Sequence, residues 1–135
     1  MKLSERIQII PRKKLVNDTG WFLKTMTGSE NDLPATFGEC YVSSGLPGQS
    51  RAGHYHGLAT EWFTLLEGTC ILKLVDIETG EKTSISLDAD KPETIVVPPR
   101  IAHLFENNGA NTFILSVYSS ERFDPSDTIL FNFAQ

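Results

Sequence analysis

The stretch that decides the fold runs Gly48-Gln49-Ser50-Arg51-Ala52-Gly53-His54-Tyr55-His56-Gly57-Leu58-Ala59-Thr60-Glu61 and is closed by Gly68. The run from Pro98 to Asn107 holds His103, the remaining histidine of the chain. His54 and His56 are two residues apart, so on a strand both side chains point to one face. We expect Glu61 and His103 to join them from neighbouring strands of a barrel. Three imidazoles and a carboxylate suit Zn²⁺, Fe²⁺, Mn²⁺ or Ni²⁺ better than Mg²⁺ or Ca²⁺, which prefer oxygen ligands.

Both runs resemble the motifs of the cupin superfamily. The first motif, G-x5-H-x-H-x4-E-x6-G, is met in full at Gly48, His54, His56, Glu61 and Gly68. The second, G-x5-P-x-G-x2-H-x3-N, is met at Pro98, His103 and Asn107, but Pro92 and Arg100 stand where it has glycine. Both departures fall in turns, not at ligands. The resemblance implies an all-β fold, a single cupin domain over residues 1–135 (a double-stranded β-helix or jelly-roll barrel) with its motif core at 48–107.

Short strands separated by turn residues agree with that fold. The pattern shows almost no helical periodicity. We expect tight hairpins at Glu67-Gly68-Thr69 and at Asn107-Asn108-Gly109-Ala110, and a turn at 17–20. The predicted strands are 7–10, 21–26, 36–43, one around 54–56, 62–66, 70–75, 82–87, 94–97, 103–106 and 113–118.

Composition excludes several function classes. The net charge of -5 and the pI near 5.1 give no reason to expect binding to nucleic acid or to a membrane surface. No apolar stretch reaches the roughly 18–20 residues that a membrane span needs, and the N-terminus has no signal-peptide apolar core. We therefore expect a cytoplasmic protein in which Cys40 and Cys70 are buried, reduced thiols.

Further runs resemble cupins that act on nucleotide sugars. Arg51-Ala52-Gly53-His54-Tyr55-His56 is similar to the Arg-x-x-His-x-His run of dTDP-4-keto-6-deoxyglucose 3,4-ketoisomerases, and more so to the Arg-Gly-x-His-Tyr-His run in the C-terminal cupin domain of capsule-biosynthesis reductase-epimerases. The tail from Glu121 to Thr128 resembles the ending of that capsule-type domain. Asp18-Thr19-Gly20-Trp21-Phe22 is similar to the start of dTDP-4-dehydrorhamnose 3,5-epimerases, with Thr19 in place of an arginine. The resemblance implies an epimerase or ketoisomerase of a nucleoside-diphosphate 4-keto-6-deoxy sugar in polysaccharide biosynthesis.

Such a reaction removes a proton next to a ketone and stabilises the enolate that forms. A neutral histidine is a suitable base, and we name His56 and His103 as candidates. If His54, His56, Glu61 and His103 instead hold a divalent metal, with Zn²⁺ favoured, the base must come from elsewhere. The candidates are then Tyr41 and Tyr118, both expected to line the barrel, together with Tyr55 and Glu39.

Substrate contacts are expected from Arg51, whose planar guanidinium can bind a diphosphate or a sugar oxygen, and from Glu39. The partners we expect are a nucleotide-sugar substrate and a second copy of the chain. A homodimer is expected because the apolar segment from Arg6 to Ile10 can pair with another sheet. Two alternatives stay open: a metal-dependent small-molecule cupin (an oxygenase or isomerase) and a non-catalytic sugar-binding cupin.

Overall fold

The computed structural model describes residues 1–134, and within that range short strands alternate with tight turns. The N-terminal helical turn α1 and a single 3-10 turn at Pro125–Asp127 are its two short helical elements. The strands are β1 (Gln8–Pro11), β2 (Lys14–Asn17), β3 (Gly20–Leu23), β4 (Glu39–Gly45), β5 (Ser50–Tyr55), β6 (Glu61–Glu67), β7 (Thr69–Asp76), β8 (Lys82–Asp88), β9 (Glu93–Val97), β10 (Ile101–Glu106), β11 (Phe113–Ser119) and β12 (Ile129–Leu130), and α1 is Leu3–Arg6.

Ten of these strands form two five-stranded sheets. One has the order β1-β9-β6-β11-β4 and the other β12-β5-β10-β7-β8, with antiparallel pairing throughout. Their inner faces meet in a core that includes Phe63, Leu72, Phe105 and Phe113. Most consecutive strands alternate between the sheets, as in a jelly roll. The predicted all-β jelly-roll fold is confirmed.

Two of the predicted hairpins are wrong. β6 ends at Glu67 and β7 begins at Thr69, but the two strands lie in different sheets, so the chain crosses at Gly68. β10 and β11, which flank residues 107–112, also lie in different sheets. A tight turn marks a change of direction, but it does not specify whether the chain returns to the same sheet. The turn at 17–20 does close a hairpin, since Asn17 pairs with Gly20 between β2 and β3.

Asn107 ties the end of β10 to the loop before β5. Its side chain is fully buried and donates to the carbonyls of Gly45 (2.8 Å) and Asn111 (2.9 Å). Its backbone N–H donates to Gln49, and its carbonyl accepts from the Gly48 N–H. The motif asparagine therefore holds the two motif segments together and contacts none of the four candidate ligands.

Arg100 keeps the backbone conformation of the glycine that it replaces. Its φ is 69°, in the left-handed region. Its N–H donates to the carbonyl of His56 at 2.7 Å. The departure from the motif therefore leaves the turn intact, and this turn holds the end of the histidine strand.

The N-terminal residues form the edge of the first sheet. β1 pairs with β9 on one side, and the β2–β3 hairpin pairs with no other strand of the described residues. Phe22 and Val16 on that hairpin are 57% and 71% exposed. Cys70 is buried as expected, but Cys40 is exposed, because β4 is the other edge strand. No helix among the described residues is long and apolar enough to span a membrane.

Candidate functional site

Three imidazoles and a carboxylate meet between the two sheets. His54 lies on β5 opposite His103 on β10, and His56 follows directly after β5. Glu61 begins β6 and reaches the cluster from the facing sheet, not from a neighbouring strand as predicted. One ligand atom from each of the four residues lies within 4.8 Å of the others. The predicted set is brought together, although its chemical role stays a prediction.

A bulge in β5 immediately precedes His54 and His56. His103 pairs with His54, but the next β10 residue, Leu104, pairs with Ala52, so Gly53 is left over. Ala52 and Gly53 have φ values of 70° and 82°. A bulge with left-handed residues bends the strand and redirects side chains. His54 and His56 follow the bulge, and their rings lie 4.9 Å apart, both inside the cluster.

Three buried polar atoms of the cluster lack a hydrogen bond. His56 Nε2, His103 Nε2 and Glu61 Oε1 are all buried without a partner of hydrogen-bond geometry. The nitrogens nevertheless lie 2.9 Å and 3.3 Å from that carboxylate oxygen. Among residues 1–134 the other such atom is Trp62 Nε1, on the opposite face of β6. Buried polar atoms without partners are costly, so their convergence suits a cation or proton that all three share.

The rings of His56 and His103 are oriented by hydrogen bonds at Nδ1, on the side away from Glu61. His56 Nδ1 lies 2.9 Å from the Asp127 carbonyl, and His103 Nδ1 lies 3.1 Å from the Ile101 carbonyl. A carbonyl oxygen can only accept, so both Nδ1 atoms carry the proton. In the neutral rings each Nε2 then turns its lone pair toward Glu61. This is the tautomer that a metal ligand or a general base needs.

Burial and neighbouring charges shift the pKa values of the cluster residues in different directions. Burial, together with the nearby His103 and His56, lowers the pKa of His54 to about 4, so His54 is neutral at pH 7. Burial also opposes the charging of His56, but the Glu61 carboxylate outweighs it and raises the pKa of His56. Burial pushes the pKa of Glu61 upward, but His103 and His56 hold it far below its usual range. Glu61 is therefore a carboxylate, ready to balance one positive charge.

Tyr41 reaches the cluster and Tyr118 does not. Tyr41 pairs with Val117 on the inner face, and its hydroxyl donates to Glu61 Oε2 at 2.8 Å. Burial and the Glu61 charge raise the pKa of Tyr41 far above its usual value. Tyr118 points to the outer face of the same sheet, beside Trp62, where its hydroxyl accepts from the Gly38 N–H. The expectation that Tyr118 lines the barrel is wrong, because it lies one residue out of phase with Val117.

A cavity of about 310 Å³ opens beside the cluster, at the lower end of the range for small-molecule sites. It is lined by His54, His56, Glu61, Tyr41, Glu39, Ala59, Ser119, Glu121, Arg122, Phe123, Asp124, Asp127 and Thr128. A smaller void of about 100 Å³ on the other side of His54 holds Arg51 and His103. Arg51 donates to Ser43 there. Glu39 thus faces the larger cavity as predicted for a substrate contact, whereas Arg51 and His103 do not.

The C-terminal segment supplies cavity residues that the sequence analysis did not assign. Arg122 brings a cation to the wall. Asp127 brings a carboxylate that accepts from the backbone N–H groups of Gly57, Leu58 and Ala59. The signal available in the sequence was the resemblance of the tail from Glu121 to Thr128. That resemblance carried no spacing relative to the histidines, so it did not place the segment.

Comparisons with known proteins show similarity to proteins named for polysaccharide biosynthesis or for a nucleotide sugar. A profile of the family described as Polysaccharide biosynthesis C-terminal domain matches residues 21–129. A UDP-2-acetamido-2,6-beta-L-arabino-hexul-4-ose reductase of Pseudomonas aeruginosa is 32% identical over 78 residues, which is 58% of this chain and 21% of the reductase. The spore coat polysaccharide biosynthesis protein SpsL of Bacillus subtilis is 26% identical over 121 residues, 84% of this chain and 80% of SpsL. The chain thus matches about a fifth of the reductase and most of SpsL.

Solved structures support the fold. A dTDP sugar isomerase from Desulfovibrio desulfuricans superposes with a TM-score of 0.86 at 19% identity, over 95% of this chain and 85% of the isomerase. The predicted resemblance to cupins that modify nucleotide sugars is confirmed.

Proposed function

This chain belongs to the polysaccharide biosynthesis C-terminal domain family, and from that premise we propose that it is an epimerase or ketoisomerase of a nucleoside-diphosphate 4-keto-6-deoxy sugar. The observation that carries the proposal is the convergence of His54, His56, Glu61 and His103, with the Tyr41 hydroxyl, beside a cavity of about 310 Å³. The Pseudomonas relative is named for a UDP-linked hexul-4-ose and SpsL for polysaccharide biosynthesis, and both names support this substrate class. A cytoplasmic location is part of the proposal and is supported by the two free thiols.

The proposed reaction begins with removal of a proton next to the ketone. His56 is our candidate base, because it faces the cavity and its Nε2 lone pair is oriented by the Asp127 carbonyl. The Glu61 carboxylate stabilises the imidazolium that forms. Tyr41 stays protonated because its pKa is raised, so it is not the base. Its hydroxyl donates to Glu61 and can serve developing negative charge only by exchanging that hydrogen bond for one to the substrate. His103 is 2% exposed and does not line the cavity, which argues for a supporting role.

The same four residues also fit a divalent metal. Three nitrogens and a carboxylate oxygen are donors that Zn²⁺ accepts, and Fe²⁺, Mn²⁺ or Ni²⁺ can use the same set. The buried Nε2 and Oε1 atoms without hydrogen bonds support this fit. A bound ion supplies a Lewis acid for the enolate oxygen. His56 cannot then act as the base, and Glu39, one of several carboxylates on the cavity wall, is our candidate to accept the proton.

Arg122 is our candidate for contact with the diphosphate. It lines the cavity and forms no hydrogen bond or ion pair with another described residue. Arg51, the residue favoured by the sequence, lies on the far side of His54 and is engaged by Ser43. Replacement of Arg122 is therefore expected to weaken nucleotide binding more than replacement of Arg51.

A metal-dependent small-molecule cupin is the second candidate, and one observation favours it. Besides Glu61, the cavity wall carries Glu39 and three acidic residues of the C-terminal segment, against the single cation Arg122. Such a wall opposes a dianionic diphosphate. A titration with UDP and dTDP separates the candidates, because only the nucleotide-sugar enzyme is expected to bind them.

A homodimer completes the proposal. The outer edge of β1 and the exposed apolar residues of the β2–β3 hairpin support it, because an open edge and an apolar hairpin favour pairing with a second chain.

The reaction is tested by proton exchange. The protein is mixed in D₂O with a dTDP- or UDP-linked 4-keto-6-deoxy sugar, and deuterium at the carbon next to the ketone is followed by NMR. We expect incorporation whether the product is an epimer or a shifted ketone. Absence of exchange with both nucleotides, in metal-free and in Zn²⁺-loaded protein, contradicts the proposal.

A further inference from the structure

The side chain of Asp127 holds the loop that joins His56, which follows β5, to Glu61. Its Oδ1 accepts from the Gly57 N–H at 2.8 Å and from the Leu58 N–H at 2.9 Å. Its Oδ2 accepts from the Ala59 N–H at 3.2 Å. One carboxylate thus satisfies three successive backbone donors, and the loop from His56 to Glu61 is shaped around it.

The backbone of the same residue contacts the catalytic candidate. The Asp127 carbonyl accepts from His56 Nδ1 at 2.9 Å. Because a carbonyl offers no proton, this bond fixes the proton on Nδ1 and leaves Nε2 free to face Glu61. The orientation of one ring and the position of the loop after it therefore depend on a single residue about 70 positions away in the sequence.

The fit of the loop around Asp127 is tight. A Cβ built on Gly57 lies 3.1 Å from Asp127 Oδ1, so the close approach of loop and carboxylate leaves little room for a side chain there. The connection between the His56 strand and the Glu61 strand thus has one well-packed anchor.

From these contacts we propose that Asp127 is a positioning residue, which holds His56 in its Nδ1–H tautomer and fixes the loop that sets the spacing between His56 and Glu61. The tautomer claim stands on the geometry alone, and the effect on turnover rests on the function proposed above. Both carboxylate oxygens of Asp127 are engaged by the loop, so its proposed effect on the reaction acts through His56.

The segment has a second attachment that does not use the Asp127 side chain. β12 pairs with β5, with Ile129 opposite Tyr55 and Leu130 opposite His54. The Phe131 N–H donates to the Gly53 carbonyl at the bulge. These backbone contacts keep the segment on β5 when the carboxylate is removed. The loop after His56 then loses its three hydrogen bonds and is free to carry the His56 ring away from the Asp127 carbonyl, so a variant of Asp127 separates positioning from attachment.

The test reads the ring nitrogens of the three histidines directly. Nitrogen-15 NMR is recorded on metal-free protein in alkaline buffer, where the rings are neutral, for the wild type, Asp127→Asn and Asp127→Ala. The wild type is expected to show His56 as a single Nδ1–H tautomer. Asp127→Ala is expected to show a mixture of tautomers, and Asp127→Asn an intermediate state, because its amide still offers one oxygen to the loop.

Asp76 provides the matched control. Its carboxylate, on the last residue of β7, also accepts backbone N–H groups of a turn, those of Glu78 and Thr79. Its remaining partner is Arg6, which is not a residue of the cluster. Asp76→Ala is expected to lower stability while leaving the His56 signals unchanged. If Asp127→Ala does not fold, Asp127→Asn still gives the reading.

Turnover gives the second readout. Asp127→Ala is expected to reduce the kcat for deuterium exchange by about 10- to 100-fold with little change in KM, as residues that orient a catalytic histidine do. A wild-type tautomer state in both Asp127 variants overturns the proposal. If the wild type itself shows no exchange, the proposed function fails, and the tautomer readout still decides the role of Asp127.

Discussion

Glu61 is a buried carboxylate with two kinds of contact. It faces two imidazole nitrogens, and it accepts a hydrogen bond from the Tyr41 hydroxyl. Its negative charge favours any cation that enters the cluster. A neutral side chain of the same shape keeps the Tyr41 hydrogen bond but loses that attraction. The charge, more than the shape, is thus expected to decide metal binding.

The first prediction concerns Glu61→Gln. We expect the affinity for Zn²⁺ to fall about 10-fold or more, while the free energy of unfolding changes by only about 1 kcal/mol, since a buried charge is replaced by a neutral group. Metal titration and urea unfolding measure the two effects. Glu106→Gln is the control, because Glu106 pairs with Lys73 away from the cluster. Undiminished Zn²⁺ binding by Glu61→Gln would count against the metal site.

At this scale the sequence predicted the cluster well and its surroundings poorly. The motif spacing identified His54, His56, Glu61 and His103, which the fold does bring together. The assignment of Tyr118 to the inner face was wrong. The face on which a strand residue lies depends on how its strand pairs with its neighbours, and a single sequence does not show that pairing. Asp127 was missed for a related reason. Its contacts span about 70 residues, with no periodicity to report them.

At the scale of elements, the crossings between the two sheets depend on space as well as on turn conformation. Gly68 has a φ of 83°, and a Cβ there lies 3.0–3.2 Å from atoms of Thr112 and Phe113. Gly80, in the β7–β8 hairpin, has a φ of 77° with no atom within 4 Å of such a Cβ. The two glycines therefore share a left-handed backbone conformation and differ in crowding.

This pair makes the second prediction. Gly80→Ala is expected to cost about 1 kcal/mol, the penalty for a left-handed alanine. Gly68→Ala is expected to cost about 2–4 kcal/mol, because Phe113 must also move from the core. Urea unfolding of both variants measures the difference. Equal losses would show that crowding at the crossing contributes nothing.

An ion pair joins the end of β1 to the loop before β4. Arg12 donates to Glu30 at 2.8 Å, and the Glu30 side chain is only 3% exposed. Burial alone would raise the pKa of Glu30. The Arg12 guanidinium and hydrogen bonds from Thr27 outweigh that effect and lower its pKa from 4.5 to about 2.

The third prediction follows from that shift. A depressed pKa in the folded state stabilises the protein above pH 4.5, and the contribution is lost as the pH falls toward 2. Glu30→Gln is expected to lower the free energy of unfolding at pH 7 by up to about 3 kcal/mol. Wild type and variant should then converge near pH 2. Unfolding measured across this pH range tests it, and a difference that does not vary with pH contradicts it.

The elements themselves were largely predictable, and their pairing was not. Short strand-like runs bounded by turn residues located most strands to within a few residues, because strand and turn preferences are local properties. The positions of the crossings at Gly68 and after Asn107 depend on which sheet each strand joins. That choice is made by the shared core and is not encoded in a turn.

At the scale of the whole molecule, the fourth prediction is a homodimer through the outer edge of β1 and the β2–β3 hairpin. Light scattering at micromolar concentration is expected to give twice the mass of the chain. The double variant Val16→Asp with Phe22→Asp places charge on the exposed β2–β3 hairpin and is expected to give a monomer. Val42→Asp, on the exposed β4 edge, is the control. A monomeric wild type, or dissociation by the β4 variant alone, contradicts this assembly.

The proposed reaction is enolisation of a 4-keto sugar at the cluster formed by His54, His56, Glu61 and His103. The most direct measurement compares deuterium incorporation next to the ketone, by NMR in D₂O, for the wild type and for His56→Asn at saturating nucleotide sugar. We predict incorporation by the wild type and a loss of about 100-fold or more in the variant, with substrate binding, measured by calorimetry, retained. Incorporation at the wild-type rate by His56→Asn, or none by the wild type, would contradict the account.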